Sequence, residues 1–269
     1  MTLLSAITFS DGPDHARRFG GVSRLYGVHG LARLQASHIC LVGIGGVGSW
    51  AAEALARNAV GTITLIDLDN IAESNVNRQL HAVEGAFGKA KVTAMAERIR
   101  LINPQANVIE IEDFVTAENV AFMLNDQYDG VIDCIDDAKA KMALAAFCKE
   151  RQIPLIMTGG AGGRLDPTRI QHADLAVVTG DRLLAKVRNG LRHDYSFPPG
   201  SDAKKGKILP FGITAVYSDE PIIQPDSLCL NDNKAITGLN CAGYGSSVCV
   251  TAPFGFSAVA LLLKQILNK

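Results

Sequence analysis

Between residues 38 and 160 the sequence alternates short apolar runs with longer helix-forming runs, and this alternation constrains the fold more than any other feature. Most of the predicted strands are apolar along their whole length, which is typical of parallel sheets covered by helices on both faces. We therefore predict an α/β fold built on a mostly parallel sheet. The predicted strands are 38–43, 62–69, 107–113, 128–136 and 154–160, and the predicted helices are 47–59, 89–103, 117–125 and 139–151.

The rhythm of the sequence changes after Gly163. Runs at 169–176 and 212–218 read as further strands that extend the sheet in an antiparallel sense. A helix is expected at 181–192 and a last apolar helix at about 253–267, whereas 1–20 reads as a loosely held arm and 25–34 as a short helix. Because the chain shows no internal repeat, we predict a single domain over residues 1–269.

Composition narrows the class of protein. The 269 residues carry 26 Lys plus Arg and 27 Asp plus Glu, which argues against a surface that is basic throughout but allows a local basic patch. The six cysteines form no CxxC pair and no signal segment precedes them, which predicts a cytoplasmic protein. The apolar run 248–263 is expected to be a buried helix, with peripheral membrane association as the alternative.

A glycine-rich loop lies between the first predicted strand and the following helix. Gly43, Gly45, Gly46 and Gly48 would let the backbone approach a phosphate at the start of that helix. Asp67 comes 19 residues after Gly48, at the end of the second strand, where a carboxylate can accept the ribose hydroxyls. This Rossmann-like arrangement predicts a nucleotide site, and it suits NAD as well as ATP.

The residues that follow favour ATP. Asp69, Asn75, Arg78 and Gln79 form a polar cluster just beyond the second strand, where ligands bind in such sheets. A nicotinamide needs an apolar slot, whereas a triphosphate needs several donors and positive charges. Arg78 can fork onto phosphate oxygens, and Lys91 near the start of a helix is expected to contact the same phosphates.

Three carboxylates follow the fourth predicted strand. Asp136 would project into the crevice and could hold Mg²⁺, which needs one or two carboxylates in addition to phosphate oxygens. Asp137 is expected to cap the helix that starts near Ala138, and Asp133 would face a different environment from Asp136.

In this order and at these spacings, the motifs GIGGVG, DLDNIAESNVNRQ, GKAKV and CIDD closely resemble those of the ubiquitin-activating-enzyme superfamily. The resemblance implies binding of ATP and Mg²⁺, adenylation of a carboxylate, and a homodimer. Carried over, Asp67 would hold the ribose, Asn75, Arg78 and Lys91 would contact the triphosphate, and Asp136 would be the magnesium-linked acid. Arg78, Lys91 and Asp136 would be the catalytic residues.

The sequence also departs from the superfamily pattern. The amino-terminal arginine motif reads Arg18-Phe-Gly-Gly21, so that Arg18 or Arg24 would have to supply the missing arginine. The CxxC pairs that hold structural zinc in some members are missing, and no zinc is expected. Cys229 and Cys241 are expected to be ordinary thiols. The sequence leaves open whether the carbonyl groups of residues 229–245 bind a monovalent cation.

RFGGVSRLYG at 18–27, the missing zinc cysteines and an insertion at about 179–235 resemble one branch of the superfamily. Its members use ATP to dehydrate, and so cyclise, threonylcarbamoyladenosine beside the anticodon of tRNA. The side-chain carboxylate becomes an acyl-adenylate, and AMP and pyrophosphate are released. The alternatives are an adenylyltransferase or sulfur-relay partner of a ubiquitin-like sulfur carrier or a cysteine desulfurase, an NAD-dependent oxidoreductase, and a non-catalytic nucleotide sensor.

A tRNA substrate requires a basic surface, and residues 181–207 offer seven cations against three anions. Tyr195 and Phe197 lie within this segment and would stack on bases. The predicted tRNA-binding residues are Arg182, Lys186, Arg188, Arg192, Lys204, Lys205 and Lys207.

Overall fold

The structure, a computed structural model, describes residues 14–124, 127–200, 208–224 and 244–268. Seven strands form one sheet in the order β3-β2-β1-β4-β5-β7-β6. Neighbouring strands are parallel throughout, apart from the antiparallel pair β6 and β7 at one edge. The strands are β1 His38–Val42, β2 Thr62–Ile66, β3 Asn107–Ile111, β4 Gly130–Asp133, β5 Leu155–Thr158, β6 Ile170–Asp174 and β7 Thr214–Ser218.

Helices cover both faces of this sheet, so the predicted α/β class is confirmed. The helices are α1 His15–Ala36, α2 Gly48–Arg57, α3 Lys91–Ile102, α4 Val120–Met123, α5 Ala138–Glu150, α6 Arg182–Asp194 and α7 Val248–Leu267. The expectation of a loose arm over 1–20 is wrong for residues 15–20, which belong to α1. This helix is kinked at Gly27, whose φ of 77° only glycine adopts readily.

Two of the central strands end earlier than predicted, because an aspartate closes a turn at each carboxyl end. Asp67 Oδ1 accepts a hydrogen bond from the N–H of Asp69 at 2.9 Å, and Asp133 Oδ1 accepts one from the N–H of Ile135 at 3.0 Å. An aspartate that bonds the backbone two residues on turns the chain out of the sheet. These turns aim the following residues at one edge of the sheet.

The strand order reverses between β1 and β4, because the chain builds outward through β2 and β3 before it returns to β4. In open parallel sheets the crevice beyond the carboxyl ends of such neighbouring strands is where ligands bind. The segment 179–235 contains α6 and contributes β7 to the same sheet, where β7 lies between β5 and β6.

Helix α7 packs against α2 and the centre of the sheet, where Phe254, Leu262 and Leu263 are fully buried. It is long and apolar enough to cross a membrane by length and composition, and 56% of its apolar window is buried within the fold. Its hydrophobicity is therefore accounted for by its place in the core, as expected for a buried helix.

Candidate functional site

A cavity of about 210 Å³ opens at the point where the strand order reverses. One wall is formed by the first glycine loop together with Arg78 and Asp136. The opposite wall is formed by residues 158–162, the start of α6 and Tyr244. The sequence-predicted residues Gly45, Gly46, Arg78 and Asp136 therefore meet at one cavity.

The glycines of the first loop serve two different purposes, close packing of the backbone and open space at the cavity. A Cβ on Gly43, whose φ is 87°, would lie 2.9 Å from the backbone of Cys134, and a Cβ on Gly48 would lie 1.8 Å from the carbonyl oxygen of Gly43. A Cβ on Gly45 would meet no atom within 4 Å. Gly43 and Gly48 thus let strand and helix approach closely, while the open side of Gly45 faces the cavity.

Asp67 anchors the glycine loop to the end of β2. Its Oδ2 accepts a hydrogen bond from the N–H of Ile44 at 2.6 Å, and its Oδ1 is engaged by Asp69 in the turn described above. Burial raises the pKa of Asp67, and the charge of Lys91 opposes this shift. Since both oxygens of Asp67 already accept backbone donors, the carboxylate of Asp69 is the more accessible of the two.

Lys91 begins α3 and is buried beside these two carboxylates. Its Nζ lies 2.6 Å from Asp69 Oδ2 and 3.9 Å from Asp67 Oδ1. The side chain of Asp69 is 57% exposed, whereas that of Lys91 is 6% exposed. Lys89 lies just outside α3 and pairs at the surface with Glu97 at 2.7 Å.

Arg78 contacts the glycine loop from the side of the cavity. Its Nη1 donates to the carbonyl oxygen of Ser74 at 2.8 Å and to Asn77 Oδ1 at 3.0 Å, and no carboxylate among the described residues pairs with it. A Cβ on Gly46 would meet the Arg78 side chain at 3.1 Å. The guanidinium therefore lies beside the loop with its charge uncompensated.

Asn75 and Gln79 flank Arg78 in the sequence, and both side chains are buried. Asn75 Oδ1 accepts a hydrogen bond from the N–H of Ala72 at 3.0 Å and so closes the turn that carries Arg78. Gln79 Oε1 is buried and has no hydrogen-bond partner among the described residues. Asn75 thus has a structural partner already, and the Gln79 oxygen has none.

Asp136 lines the cavity and makes no hydrogen bond or ion pair with the described residues, which fits a carboxylate that holds Mg²⁺ together with phosphate oxygens. The expectation for Asp137 is confirmed, because its Oδ1 caps α5 by accepting from Ala140 N at 2.8 Å. Asp133 is fully buried behind the cavity and pairs with buried Lys141 at 3.0 Å. Lys141 also donates to the carbonyl oxygen of Thr158 at 2.8 Å and so ties β4 to β5.

The cavity is also lined by a second glycine-rich loop, Gly159–Gly163, which the motifs described above do not include. Asp181 Oδ2 accepts from the N–H of Gly160 at 2.8 Å, and Arg164 Nε donates to the carbonyl oxygen of Gly160 at 3.0 Å. Arg164 and Asp181 are themselves a buried pair, with Nη2 and Oδ2 3.6 Å apart. The signal was in the sequence, because TGGAGGR follows an apolar strand just as the first loop does.

The predicted tRNA-binding residues separate into three groups. Arg182 and Lys186 are exposed on one face of α6. Arg188 donates to the carbonyl oxygen of Val178, and Arg192 donates to that of Ala176 at 3.2 Å, so these two hold the fold rather than project freely. Lys204, Lys205 and Lys207 lie outside the described residues.

The aromatic expectation is half wrong. Phe197 is buried and packs edge-on against Phe211, with ring centroids 4.9 Å apart, so it cannot stack on a base. Tyr195 is 36% exposed. The sequence shows that a residue is aromatic or charged, but it does not show which neighbouring residue it packs against in the fold.

Among the described residues, the cysteine that lines the cavity is not activated. Cys134 lines the cavity, and burial raises its pKa to about 12; burial also raises the pKa of Cys148 to about 12. Cys229, Cys241 and most of the loop 229–245 lie outside the described residues. Within the described ranges no cluster of three or more His, Cys, Asp or Glu side chains could hold a metal ion.

Comparison with known proteins adds to this geometry. The sequence profile of the ThiF family matches residues 17–268, nearly the whole chain. The chain belongs to the ThiF family. This membership agrees with the predicted superfamily.

Among ThiF-type relatives, the chain is similar to the tRNA threonylcarbamoyladenosine dehydratase of Haemophilus influenzae, at 48% identity over 257 residues and 95% of each chain. It is similar to the crystal structure of the Escherichia coli tRNA N6-threonylcarbamoyladenosine dehydratase in complex with ATP, with 45% identity and a TM-score of 0.83. That match covers 94% of this chain and 95% of the other.

A molybdopterin-synthase adenylyltransferase of Haemophilus influenzae is more distant, at 29% identity over 171 residues, 60% of this chain and 69% of that protein. The Escherichia coli dehydratase has also been solved in complex with AMP, and that structure covers 97% of this chain.

Proposed function

We propose that this protein uses ATP to dehydrate threonylcarbamoyladenosine beside the anticodon of tRNA, closing the side chain into a ring. The observation that carries the proposal is the full-length similarity to dehydratases of this type, one of them solved with ATP. The cavity supports it, since one wall carries four of the predicted nucleotide residues, Gly45, Gly46, Arg78 and Asp136, and the other wall is free for an acceptor.

In the proposed complex, ATP lies along the first glycine loop. The open side of Gly45 and the uncapped start of α2 offer backbone N–H groups to the phosphates. Asp69, as the accessible carboxylate, accepts the ribose hydroxyls, while Asp67 holds the loop in place. This assignment moves the ribose contact from Asp67 to its neighbour, because the Asp67 side chain is 9% exposed and holds two backbone N–H groups, whereas that of Asp69 is 57% exposed.

The chemistry begins when the substrate carboxylate attacks the α-phosphorus and the bond to the leaving pyrophosphate breaks. Negative charge builds on the phosphates during this step, and Arg78 and Lys91 are the cations placed to stabilise it. Lys91 is paired with Asp69 at 2.6 Å, and that pairing keeps a buried cation in position before ATP arrives.

The acyl-adenylate then loses AMP when another atom of the same side chain attacks the activated carbonyl carbon. Because nucleophile and electrophile belong to one molecule, proximity replaces an enzyme nucleophile. The thiol of Cys134 supports this route, since a pKa raised to about 12 keeps it protonated at neutral pH.

Asp136 is the residue that would hold Mg²⁺ at the phosphates. When bound, this cation would neutralise charge on the phosphate oxygens. The half-buried carboxylate at the cavity wall, without a partner among the described residues, suits a single-carboxylate site completed by the nucleotide.

The remaining proposals concern the setting of the enzyme. We propose a cytoplasmic homodimer, in which exposed Arg24 reaches the partner's site more readily than Arg18. Arg18 is already engaged, because its Nη1 donates to the carbonyl oxygens of Leu101 and Ile102 at the end of α3. The exposed face of α6 with Arg182 and Lys186 would contact tRNA.

The proposed function is tested by comparing two substrates, modified tRNA and a sulfur-carrier protein, and two variants, Lys91→Gln and Lys89→Gln. Purified protein with ATP should release AMP and pyrophosphate when given tRNA that carries threonylcarbamoyladenosine, and not when given a sulfur-carrier protein. Lys91→Gln should abolish release, because the phosphate charge loses its buried cation. Lys89→Gln should leave it intact, since an exposed ion pair is worth about 1 kcal/mol or less.

Release of AMP with the carrier protein alone would instead establish the adenylyltransferase alternative. Equal activity of Lys91→Gln and Lys89→Gln would remove Lys91 from the phosphate site. Circular dichroism and a melting curve for each variant would show that Lys91→Gln remains folded.

A further inference from the structure

We infer that the wall of the cavity opposite the ATP residues is the pocket that selects the modified base, an inference that rests on the proposed function. We call this wall the acceptor pocket and define it as Thr158, Gly159–Gly162, Arg182 and Tyr244. Its ligand would be an adenine whose exocyclic nitrogen carries an acyl group with a free carboxylate. Arg182 and Tyr244 would be the residues that determine specificity.

The back of the acceptor pocket is rigid. The N–H and the carbonyl oxygen of Gly160 are both held by buried side chains, those of Asp181 and Arg164. A Cβ on Gly159 would lie 2.3 Å from Asp181 Oδ2, so the loop packs against this pair without spare room. A wall fixed in this way before the ligand arrives can discriminate by shape.

Arg182 is the uncompensated cation of the acceptor pocket. Its Nη1 donates to the Tyr244 hydroxyl at 3.3 Å, and no carboxylate among the described residues pairs with it. Arg164, by contrast, is balanced by Asp181. A guanidinium without a counter-charge, facing the same cavity as Arg78 and Asp136, suits an incoming carboxylate, which it can bind with two parallel hydrogen bonds.

Tyr244 supplies the aromatic surface. It lines the cavity together with the apolar side chains of Leu183 and Ile222. A base must leave its stack to enter a cavity of this kind, and proteins hold such splayed bases against aromatic rings. The hydrogen bond from Arg182 fixes the Tyr244 hydroxyl, so the charged group and the ring act together on one ligand.

Lys186 provides a matched control on the same helix. It lies one turn beyond Arg182 on the exposed face of α6, but it does not line the cavity. A lysine in this position would contact RNA phosphates without sensing the modification. The two cations therefore separate recognition of the base from attraction to the backbone.

The experiment measures binding of two anticodon stem-loop RNAs that differ only in carrying threonylcarbamoyladenosine or adenosine at the same position. A non-hydrolysable ATP analogue is present throughout. The wild-type protein should bind the modified RNA more tightly. Arg182→Ala and Tyr244→Ala should each reduce that preference about tenfold, with Arg182→Lys intermediate, because lysine keeps the charge but not the fork.

Lys186→Ala should weaken binding of both RNAs by the same factor, and the preference for the modified RNA should stay unchanged. If Arg182→Ala also weakens binding of both RNAs by the same factor, Arg182 contacts the RNA phosphate backbone and the inference is wrong. A wild-type protein that shows no preference and releases no AMP would instead contradict the proposed function itself. Affinity for the ATP analogue and the melting temperature should stay at the wild-type values in all variants.

Discussion

His81 is an example of a titratable residue whose environment excludes its charge. The ring is buried near Lys91, and neither nitrogen has a hydrogen-bond partner among the described residues. Burial, with the added effect of the Lys91 charge, lowers its pKa from 6.5 to about 4. The folded protein therefore keeps His81 neutral at a pH where the unfolded chain has already taken up a proton.

We predict that the free energy of unfolding falls as the pH is lowered from 6.5 to 4, by about 3 kcal/mol from this residue. Above pH 6.5 both states are neutral at His81, and no contribution is expected. His81→Phe should remove this part of the slope, measured as the difference between the two proteins in urea denaturation across that range. Identical slopes would show that His81 is protonated in the folded state.

At the scale of single elements, the first glycine loop separates packing from ligand binding. We predict that Gly48→Ala lowers the free energy of unfolding by about 2 kcal/mol or more, because its Cβ would overlap the carbonyl oxygen of Gly43. Gly45→Ala should remain within about 1 kcal/mol of the wild type but weaken ATP binding, since its methyl group would enter the cavity. Denaturation and calorimetric titration with ATP check the two effects. Unchanged ATP affinity in Gly45→Ala would place the phosphates elsewhere.

The secondary-structure elements also show which parts of the site can be predicted from the sequence and which cannot. The first loop was predictable because its glycines, strand and helix are contiguous. The second loop is visible in the sequence as TGGAGGR after a strand, but its bond to Asp181, the N-cap residue of α6, is a contact that a local pattern does not reveal. Arg188 and Arg192 were predicted to bind tRNA because sequence shows charge but not the carbonyl groups that hold it. The strands β2 and β4 end before their predicted limits because the turns at Asp67 and Asp133 depend on side-chain hydrogen bonds, which an apolar pattern does not show.

For the whole molecule, α7 joins the centre of the sheet to the helices on one face, and we propose that the chain folds as one domain. Leu262 is fully buried, and its Cδ1 would lie 2.5 Å from a Cβ on Gly130. We predict that Leu262→Ala lowers the free energy of unfolding by about 2–5 kcal/mol in a single transition. Leu261→Ala, on the half-buried side, should cost less than half as much. A negligible effect of Leu262→Ala in urea denaturation would indicate that α7 is not part of the core.

The chain contains a single tryptophan, and its position links the last helix to the nucleotide wall. Trp50 Nε1 donates to the carbonyl oxygen of Arg78 at 3.0 Å, and its indole meets the ring of Phe256 edge-on with centroids 6.1 Å apart. Any shift of the Arg78 backbone changes the polarity around that indole. The emission spectrum of the unlabelled protein should therefore act as a built-in optical reporter of site occupancy, with no dye attached.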